Sequence, residues 1–233
     1  MRRIFLMMAV AIAGLATANA QLNFGVKAGL NLSNYTGIEK PEGLPSTVEW
    51  SNPYKPGFHV GAFAQYMLTK ELGLEAGLYY SMLGAKQKFH IEQSGQYLTA
   101  TGSTNPSYLQ IPVSVLYKFD LGLGLKLYPQ VGLYAGYGIA GKGTADIDTN
   151  IPNIGTALAV LGLSNEEYNY FGSNDGVETK NNRFDAGLTF GLNLQYSNFL
   201  IGLGYDLGLT KLNSEDNDSG KNVNLKLSVG YLF

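Results

Sequence analysis

Two histidines are the side chains of this sequence best suited to acid–base chemistry. His59 and His90 are the only histidines, and the chain contains no cysteine, which excludes disulfides and thiolate metal sites. A histidine paired with a serine can activate the hydroxyl for acyl transfer, but no spacing in the sequence pairs either histidine with such a partner. We therefore predict no catalytic, metal-binding or cofactor-binding residue. A hydrolase or acyltransferase that uses a histidine at the rim of the protein is kept as an alternative.

A glycine motif matches a nucleotide-binding pattern in its letters only. Gly136, Gly138 and Gly141 spell G-x-G-x-x-G, a motif that binds dinucleotides where a strand leads into a helix. Here the glycines lie inside a predicted strand, and no helix is predicted directly after them. A phosphate-binding loop is excluded as well, because Gly143 stands where serine or threonine is needed. We interpret these glycines as the inward side of a narrow barrel, which requires small side chains.

Charged side chains on the polar faces of predicted strands form a further set. A narrow eight-stranded barrel is filled by its own side chains, and an isolated charge sealed inside would be costly. We therefore predict that these charges pair with one another, with Glu75 and Asp206 as counter-ions for the lysines. A path for protons or ions is the alternative. The predicted interior charges are Lys27, Glu75, Lys118, Lys126, Asp185, Asp206 and Lys226.

Alternation of apolar and polar residues predicts the strands that position these charges. In the last twelve residues every second position from Val223 to Phe233 is apolar, and the others are polar or small apart from Leu232. Such a strand has one apolar face, and its length matches the roughly 9–11 residues with which a tilted strand crosses a bilayer. The same pattern predicts strands at 22–33, 58–68, 71–82, 109–119, 125–140, 184–196, 201–210 and 222–233.

The connections between these strands alternate between long and short. Long ones cover 34–55, 90–106, 142–182 and 212–221, an asymmetry typical of outer-membrane barrels. The sequence therefore predicts an all-β fold, an eight-stranded antiparallel up-and-down transmembrane β-barrel with long extracellular loops and short periplasmic turns. The alternative is a soluble barrel with an apolar interior, because the alternation is the same when inside and outside are exchanged.

Two local features are also expected. Pro112 lies inside a predicted strand and lacks a backbone donor, so we expect a bulge or a missing ladder bond there. Within the longest loop, the stretch from Asn153 to Tyr168 is predicted to form a short helix, with Ser164 as the N-cap.

The first twenty residues have the features of a secretory signal peptide. Arg2 and Arg3 precede an apolar run that ends at the small residues Ala18 and Ala20. We predict cleavage after Ala20 and a single barrel domain over 21–233. The formal net charge of −2 does not favour nucleic acid as a partner. Most acidic residues fall in the long loops, which form either a solvated acidic surface or a rim that binds a partner or divalent cations, for instance against lipopolysaccharide.

Five segments resemble the PorT-type outer-membrane β-barrel family. They are Gly25–Ser33 (GVKAGLNLS), Tyr108–Pro112 (YLQIP), Asp185–Gly187 (DAG), Gly204–Gly208 (GYDLG) and Gly230–Phe233 (GYLF). The resemblance extends over nearly the whole mature chain and implies a barrel in the outer membrane of a Gram-negative envelope. Most members have no assigned activity, and the name-giving branch is linked to protein secretion. The closing aromatics Tyr231 and Phe233 are similar to the signal read by barrel-insertion machinery.

The function predicted from these features is that of an integral outer-membrane barrel with a structural or interaction role. It would bind through its extracellular loops or as part of an envelope complex, which could serve secretion. Expected partners are outer-membrane lipid and lipopolysaccharide, the barrel-insertion machinery and an envelope protein, and the protein is expected to be a monomer. The alternatives are the hydrolase or acyltransferase and a small, porin-like pore.

Overall fold

The computed structural model describes residues 22–38, 47–152, 166–174, 177–178, 181–213 and 220–233. The predicted signal peptide lies outside these residues. Within them no helix is long and apolar enough to cross a membrane. The strands are β1 (Leu22–Thr36), β2 (Val48–Ser51), β3 (Lys55–Met67), β4 (Leu72–Met82), β5 (Lys86–Gln93), β6 (Gln96–Tyr117), β7 (Phe119–Gly122), β8 (Leu125–Thr149), β9 (Glu166–Asn169), β10 (Ser173–Asn174), β11 (Val177–Glu178), β12 (Phe184–Tyr196), β13 (Phe199–Gly208) and β14 (Lys221–Leu232).

Twelve of these strands form one sheet, and β10 and β11 form a separate pair. Every pairing is antiparallel, which confirms the predicted all-β antiparallel class. Eight strands form a ring of pairings in the order β1, β3, β4, β6, β8, β12, β13 and β14, and each pairs with its two neighbours in this order. The ring of pairings closes where Gly25 of β1 lies opposite Leu232 of β14. Closure leaves these eight strands without a free edge along the paired residues.

Apolar side chains point out of this ring and polar side chains point in. Leu133 and Val229 are each 62% exposed, whereas Asn31 and Gln65 are completely buried. This distribution is the reverse of a soluble protein. The alternative of a soluble barrel with an apolar interior is therefore wrong.

The segment predicted as a loop at 90–106 is instead a strand hairpin. β5 and β6 pair from Lys86 opposite Ser103 to Gln93 opposite Gln96. Ser94 and Gly95, which connect them, both have positive φ, at 53° and 78°. Two such residues make the tight turn that matches strand twist. The prediction was wrong because strict apolar alternation is absent from this polar hairpin.

The predicted loop at 142–182 also contains strand. β8 continues to Thr149, pairing with β6 up to Leu98, and Glu166–Asn169 forms β9 along β8. The predicted helix is therefore wrong over 166–168, where Tyr168 lies opposite Gly143 in an antiparallel ladder. The rest of the predicted helix, at 153–165, lies outside the described residues.

Pro112 interrupts one ladder, as expected. The β4–β6 register passes from Ala76 opposite Val113 to Tyr79 opposite Gln110, so the two positions between them have no register partner. On the other side, Pro112 keeps its place opposite Tyr134 of β8. The missing donor of proline is thus confined to the β4 side. The β6–β8 ladder does contain a bulge, but not at Pro112. It lies where Ser107 is opposite Ala140 and Tyr108 is opposite Gly138.

Two apolar clusters lie inside the ring, one near each end. The short-turn end is where β3 meets β4 and β12 meets β13, and the opposite end carries the long connections. The short-turn core consists of Phe63, Leu116, Tyr128, Leu200 and Leu232. The long-connection core consists of Leu83, Tyr108, Tyr170 and Phe171.

Candidate functional site

Between these two cores the inward side chains are mainly polar, and we call this region the polar layer. It contains two ion pairs. The Lys27 ammonium lies 2.8 Å from a Glu75 carboxylate oxygen, and both side chains are buried. The Lys226 ammonium lies 2.6 Å from Asp206, whose carboxylate also accepts a bond from the Thr189 hydroxyl at 2.7 Å. The first ion pair joins β1 to β4, and the second joins β13 to β14. Buried charges with such partners avoid the cost of an isolated charge.

Lys118 lies nearer the short-turn end and bonds an amide rather than a carboxylate. Its ammonium donates to the Gln65 side-chain oxygen at 2.8 Å, and the Gln65 amide nitrogen donates to Glu75 at 2.7 Å. Lys118 thus reaches Glu75 through Gln65. Lys126 is half-buried at this end, opposite Asp120 in the β7–β8 ladder, and belongs to neither interior ion pair.

Asp185 lies on the other side of the layer and accepts hydroxyl hydrogen bonds. Tyr134 donates to one oxygen at 3.0 Å and Thr210 to the other at 2.8 Å. The carboxylate is 2% exposed, so these donors take the place of a cation. The expectation that interior charges pair with each other therefore does not describe Asp185.

The structure brings His59 together with a serine and an asparagine from different strands. The Asn31 amide nitrogen donates to the carbonyls of Phe58 and Met82, which turns its oxygen toward His59 Nδ1 at 2.8 Å. Nδ1 must then carry the proton, and Nε2 accepts from the Ser228 hydroxyl at 3.0 Å. His59 is 4% exposed, so it lies inside the ring rather than at a rim. No spacing in the sequence could reveal this contact, because 169 positions separate His59 and Ser228.

His90 occupies a separate place on the β5–β6 hairpin. Its Nδ1 lies 2.8 Å from the Thr99 hydroxyl, and its ring stands 6.3 Å from that of Tyr97. Glu92 is 3.9 Å from its other nitrogen. These contacts are what a surface strand pair commonly makes.

A cavity of about 60 Å³ lies within the polar layer. Both ion pairs, His59 and Ser228 contribute to its wall. Since one water needs roughly 10–15 Å³ on this scale, the cavity has room for about four to six waters. In the described part of the chain no cluster of histidine and acidic side chains could hold a metal ion.

The glycine motif provides the space in which Tyr170 and Phe171 pack at the long-connection end. A Cβ at Gly138 would lie 2.3 Å from the Phe171 ring, and one at Gly141 would lie 2.9 Å from Tyr170. Further along β8, Gly143 leaves the same room for Tyr168. We call Gly138, Gly141 and Gly143 the glycine track. Gly138 and Gly141 are three positions apart but lie on the same face of β8, because Ile139 between them is the extra residue of the β6–β8 bulge. The motif therefore serves packing.

Polar contacts fix the same segment over the end of the ring. Arg183 donates to the carbonyls of Gly138 and Phe171 at 2.9 and 3.0 Å, with its guanidinium 5.0 Å above the Phe171 ring. The Tyr170 and Tyr35 hydroxyls lie 3.1 Å apart. Burial raises the pKa of Tyr35 to about 12, and burial likewise holds the pKa of Tyr170 well above its ordinary value. Both hydroxyls therefore stay protonated at neutral pH.

The apolar exterior, polar interior and antiparallel ring agree with one family of proteins. The family model for the outer membrane protein beta-barrel domain matches residues 17–214. The chain belongs to this family. Membership assigns it to the outer membrane and confirms the predicted general family and location. No curated protein matches the sequence.

Solved structures similar to this family member include bacterial outer-membrane and surface proteins. The attachment invasion locus protein Ail of Yersinia pestis is 16% identical over 92% of this chain and 100% of its own, with a TM-score of 0.39. Neisserial surface protein A is 16% identical over 90% of this chain and 95% of its own, with a TM-score of 0.39. Outer membrane protein W of E. coli is 15% identical over 92% and 100%, with a TM-score of 0.36. Similarity at this level carries no information on activity.

The closing aromatics of this family member lie on the outside of the ring. Phe233 is 71% exposed and Tyr231 is 37% exposed, with ring centres 5.4 Å apart. The Phe233 amide donates to the Phe24 carbonyl of β1 at 2.8 Å, so the last residue contacts the strand that closes the ring. Whether insertion machinery reads these residues stays a prediction.

Proposed function

We propose that the ring of eight strands is an up-and-down transmembrane barrel whose long-connection end faces the cell exterior. The observation that carries this proposal is the apolar exterior around a polar interior, which a bilayer stabilises and water does not. The exposed apolar side chains around the ring form a belt, which we call the apolar belt. Exposed aromatic side chains at both ends of this belt support the proposal, since rings of aromatic residues mark membrane interfaces. They are Tyr117, Phe119, Tyr196, Phe199, Tyr231 and Phe233 at the short-turn end, and Phe58, Tyr137 and Phe184 at the other.

The proposed role of this barrel is structural or in binding a partner, through the surface of its long-connection end or within an envelope complex. Support comes from the sheet that β2, β5, β6 and β8 continue beyond the belt. One cross-strand row there places Trp50, Phe89, Ala100 and Ile147 side by side. A paired sheet offers a partner a shaped surface. By resemblance to the PorT-type branch, the partner belongs to an envelope complex, which could serve secretion.

Export and assembly complete the proposal. The segment at 1–20 acts as a signal peptide cleaved after Ala20, and the closing Tyr231 and Phe233 are read by barrel-insertion machinery. Lipid and lipopolysaccharide surround the belt, and the protein is a monomer apart from its envelope partner. We propose no catalytic activity.

Gentle extraction tests this proposal. An affinity tag placed between Asn213 and Asp218, in a long connection, should be recovered from outer-membrane fractions together with an envelope protein in fixed ratio. A matched tag between Ser197 and Asn198, at the short-turn end, should be protected from protease added to intact cells, whereas the first tag should be cleaved. Recovery of the protein from the soluble periplasm, or the reverse protease pattern, would contradict the proposed topology.

A hydrolase is the second candidate, and the contact of Ser228 with His59 and Asn31 is the observation that favours it. The three side chains have the order of nucleophile, base and orienting group. The cavity beside them is small, and the neighbouring backbone N–H groups of β14 lie within sheet ladders. For these reasons we rank it second.

Labelling with a fluorophosphonate distinguishes the two candidates. A hydrolase should be labelled in the folded wild type, lose the label in Ser228→Ala and His59→Gln, and keep it in His90→Gln, the matched control at the other histidine. We expect no labelling of any of the four proteins. Labelling that depends on both Ser228 and His59 would replace the interaction role by an acyl-transfer activity.

A further inference from the structure

One buried amide inside the ring, that of Asn224, lacks hydrogen-bond partners within the described part of the protein. Asn224, on β14 two positions from Lys226, is 1% exposed, and neither polar atom of its amide has a hydrogen-bond partner. It lies opposite Ser33 in the ladder with β1, between the level of Lys226 and that of Tyr35. Buried amides are almost always hydrogen-bonded. A water or a small polar solute placed inside the ring would supply such bonds.

The short-turn end of the cavity is closed by the ring itself. All five residues of the short-turn core belong to ring strands that are held in register on both sides. Tyr128 and Leu116 are 0% and 1% exposed, and Lys118 and Gln65 seal the polar side of this layer. Opening this end would require parting the ladders.

The long-connection end is closed differently, in part by Tyr170 and Phe171, which do not belong to the ring. Tyr170 and Phe171 follow β9, which pairs with the part of β8 beyond the apolar belt. Their rings lie 4.8 Å apart, and Phe171 also stands edge-on to Tyr108 at 5.8 Å. Arg183 and the glycine track hold them in place. Displacing this segment, Glu166–Gly172, breaks the short β8–β9 ladder but no pairing between two ring strands.

We propose that the interior is a one-sided chamber for small polar solutes, closed permanently at its short-turn end and by a displaceable aromatic plug, Tyr170 and Phe171, at its long-connection end. Solutes enter from that end when the plug moves out of the glycine track. The cavity walls carry both charges of the two ion pairs, and the amide of Asn224 lies further along the same interior, toward Tyr35. They therefore suit small molecules with both donors and acceptors, and exclude apolar ones.

Thiol accessibility tests this proposal, and the absence of native cysteine makes any reaction site-specific. Ser81 is 1% exposed and contributes to the cavity wall, so Ser81→Cys places a nearly isosteric thiol inside. The probe is 2-aminoethyl methanethiosulfonate, added to folded protein in detergent. We expect slow reaction in the single variant. Adding Phe171→Ala should raise the rate at least about tenfold, because labelling of a buried thiol follows the population of the open form.

Two further variants decide whether the plug and its side are correctly assigned. Arg183→Gln keeps the aromatic rings but removes the polar contacts of the segment, and it should also raise the rate. Phe63→Ala is the matched control, since it truncates a buried phenylalanine of the short-turn core, and it should leave the rate within about twofold of Ser81→Cys alone. Folding of each variant is verified by its heat-modifiable mobility in gels.

Three results would overturn the chamber. Rapid labelling of Ser81→Cys alone would mean that the plug does not close it. Unchanged rates in both Phe171→Ala and Arg183→Gln would mean that Glu166–Gly172 is not the entrance. Equal acceleration by Phe63→Ala would mean that the chamber is not one-sided.

Discussion

At the scale of single residues, the buried Lys27–Glu75 pair yields the sharpest stability prediction. Glu75→Gln leaves the Lys27 ammonium buried without its counter-ion, although the Gln65 amide remains nearby. Breaking a buried ion pair from one side costs about 3–5 kcal/mol. We expect a loss of that order in the free energy of unfolding, measured by urea titration of protein folded into lipid vesicles.

The exposed pair between Lys142 and Glu167 provides the matched control. Its atoms are also 2.8 Å apart, but both side chains are well exposed, so Glu167→Gln should have no measurable effect. Adding Lys27→Met to Glu75→Gln removes the orphaned charge and should recover most of the lost stability. If Glu75→Gln proves as harmless as Glu167→Gln, the Lys27 ammonium is solvated, and the interior is wetter than proposed.

Residue types and faces were predictable here, but partners were not. Alternation placed Lys27, Glu75, Asp206 and Lys226 on inward faces, and the structure places the two carboxylates beside the two lysines. Asp185 shares that pattern yet accepts hydroxyl groups from Tyr134 and Thr210. Which group lies within 3 Å depends on register and on strand order around the ring, and period-two alternation contains neither.

At the scale of elements, the glycine track of β8 gives a prediction about packing. Gly138→Ala places a methyl group within 2.3 Å of the Phe171 ring, and overpacking of this kind costs about 1–3 kcal/mol. We expect lower stability and faster proteolysis of the Glu166–Gly172 segment. Gly102→Ala is the matched control, because a methyl group there meets nothing within 4 Å.

Coupling between the two residues separates this mechanism from a general intolerance of β8. In the Phe171→Ala background, Gly138→Ala should cost almost nothing, so that the double-mutant cycle gives a coupling of about 0.5–3 kcal/mol. Equal costs of Gly138→Ala with and without the Phe171 ring would show that the glycine serves the backbone of β8 instead.

Strands inside the apolar belt were predictable from sequence, and strands beyond it were missed. A bilayer requires an apolar residue at every second position of a strand. This alternation makes the strands at 184–196 and 222–233 easy to recognise in the sequence. Beyond the belt both faces meet polar surroundings, so the hairpin at 86–103 retains no strict alternation. Ser94-Gly95 was the available signal for its turn. β9 depends on the packing of Tyr168 against Gly143 of β8. This contact joins separate parts of the chain and leaves no local pattern in the sequence.

At the scale of the whole molecule, the two cores divide the interior into a closed middle and two sealed ends. A narrow ring can be filled by its own side chains, and the polar layer with its ion pairs stands between the short-turn core and the long-connection core. The two cores differ in origin, since all residues of the short-turn core lie on ring strands, whereas Tyr170 and Phe171 of the long-connection core belong to Glu166–Gly172. Passage through the protein would require both to open together.

Single-channel recording in planar bilayers tests that architecture and the alternative of a small pore. We expect no steady conductance from the refolded wild type, because each core alone blocks ion flow. Phe171→Ala should be equally silent, since the short-turn core with Tyr128 and Leu116 remains. Combining Phe171→Ala with Phe63→Ala should also give no steady conductance, because Leu116, Tyr128, Leu200 and Leu232 still close the short-turn end. Steady conductance in the wild type would mean a continuous water path past both cores, and the porin-like alternative would then replace the sealed barrel.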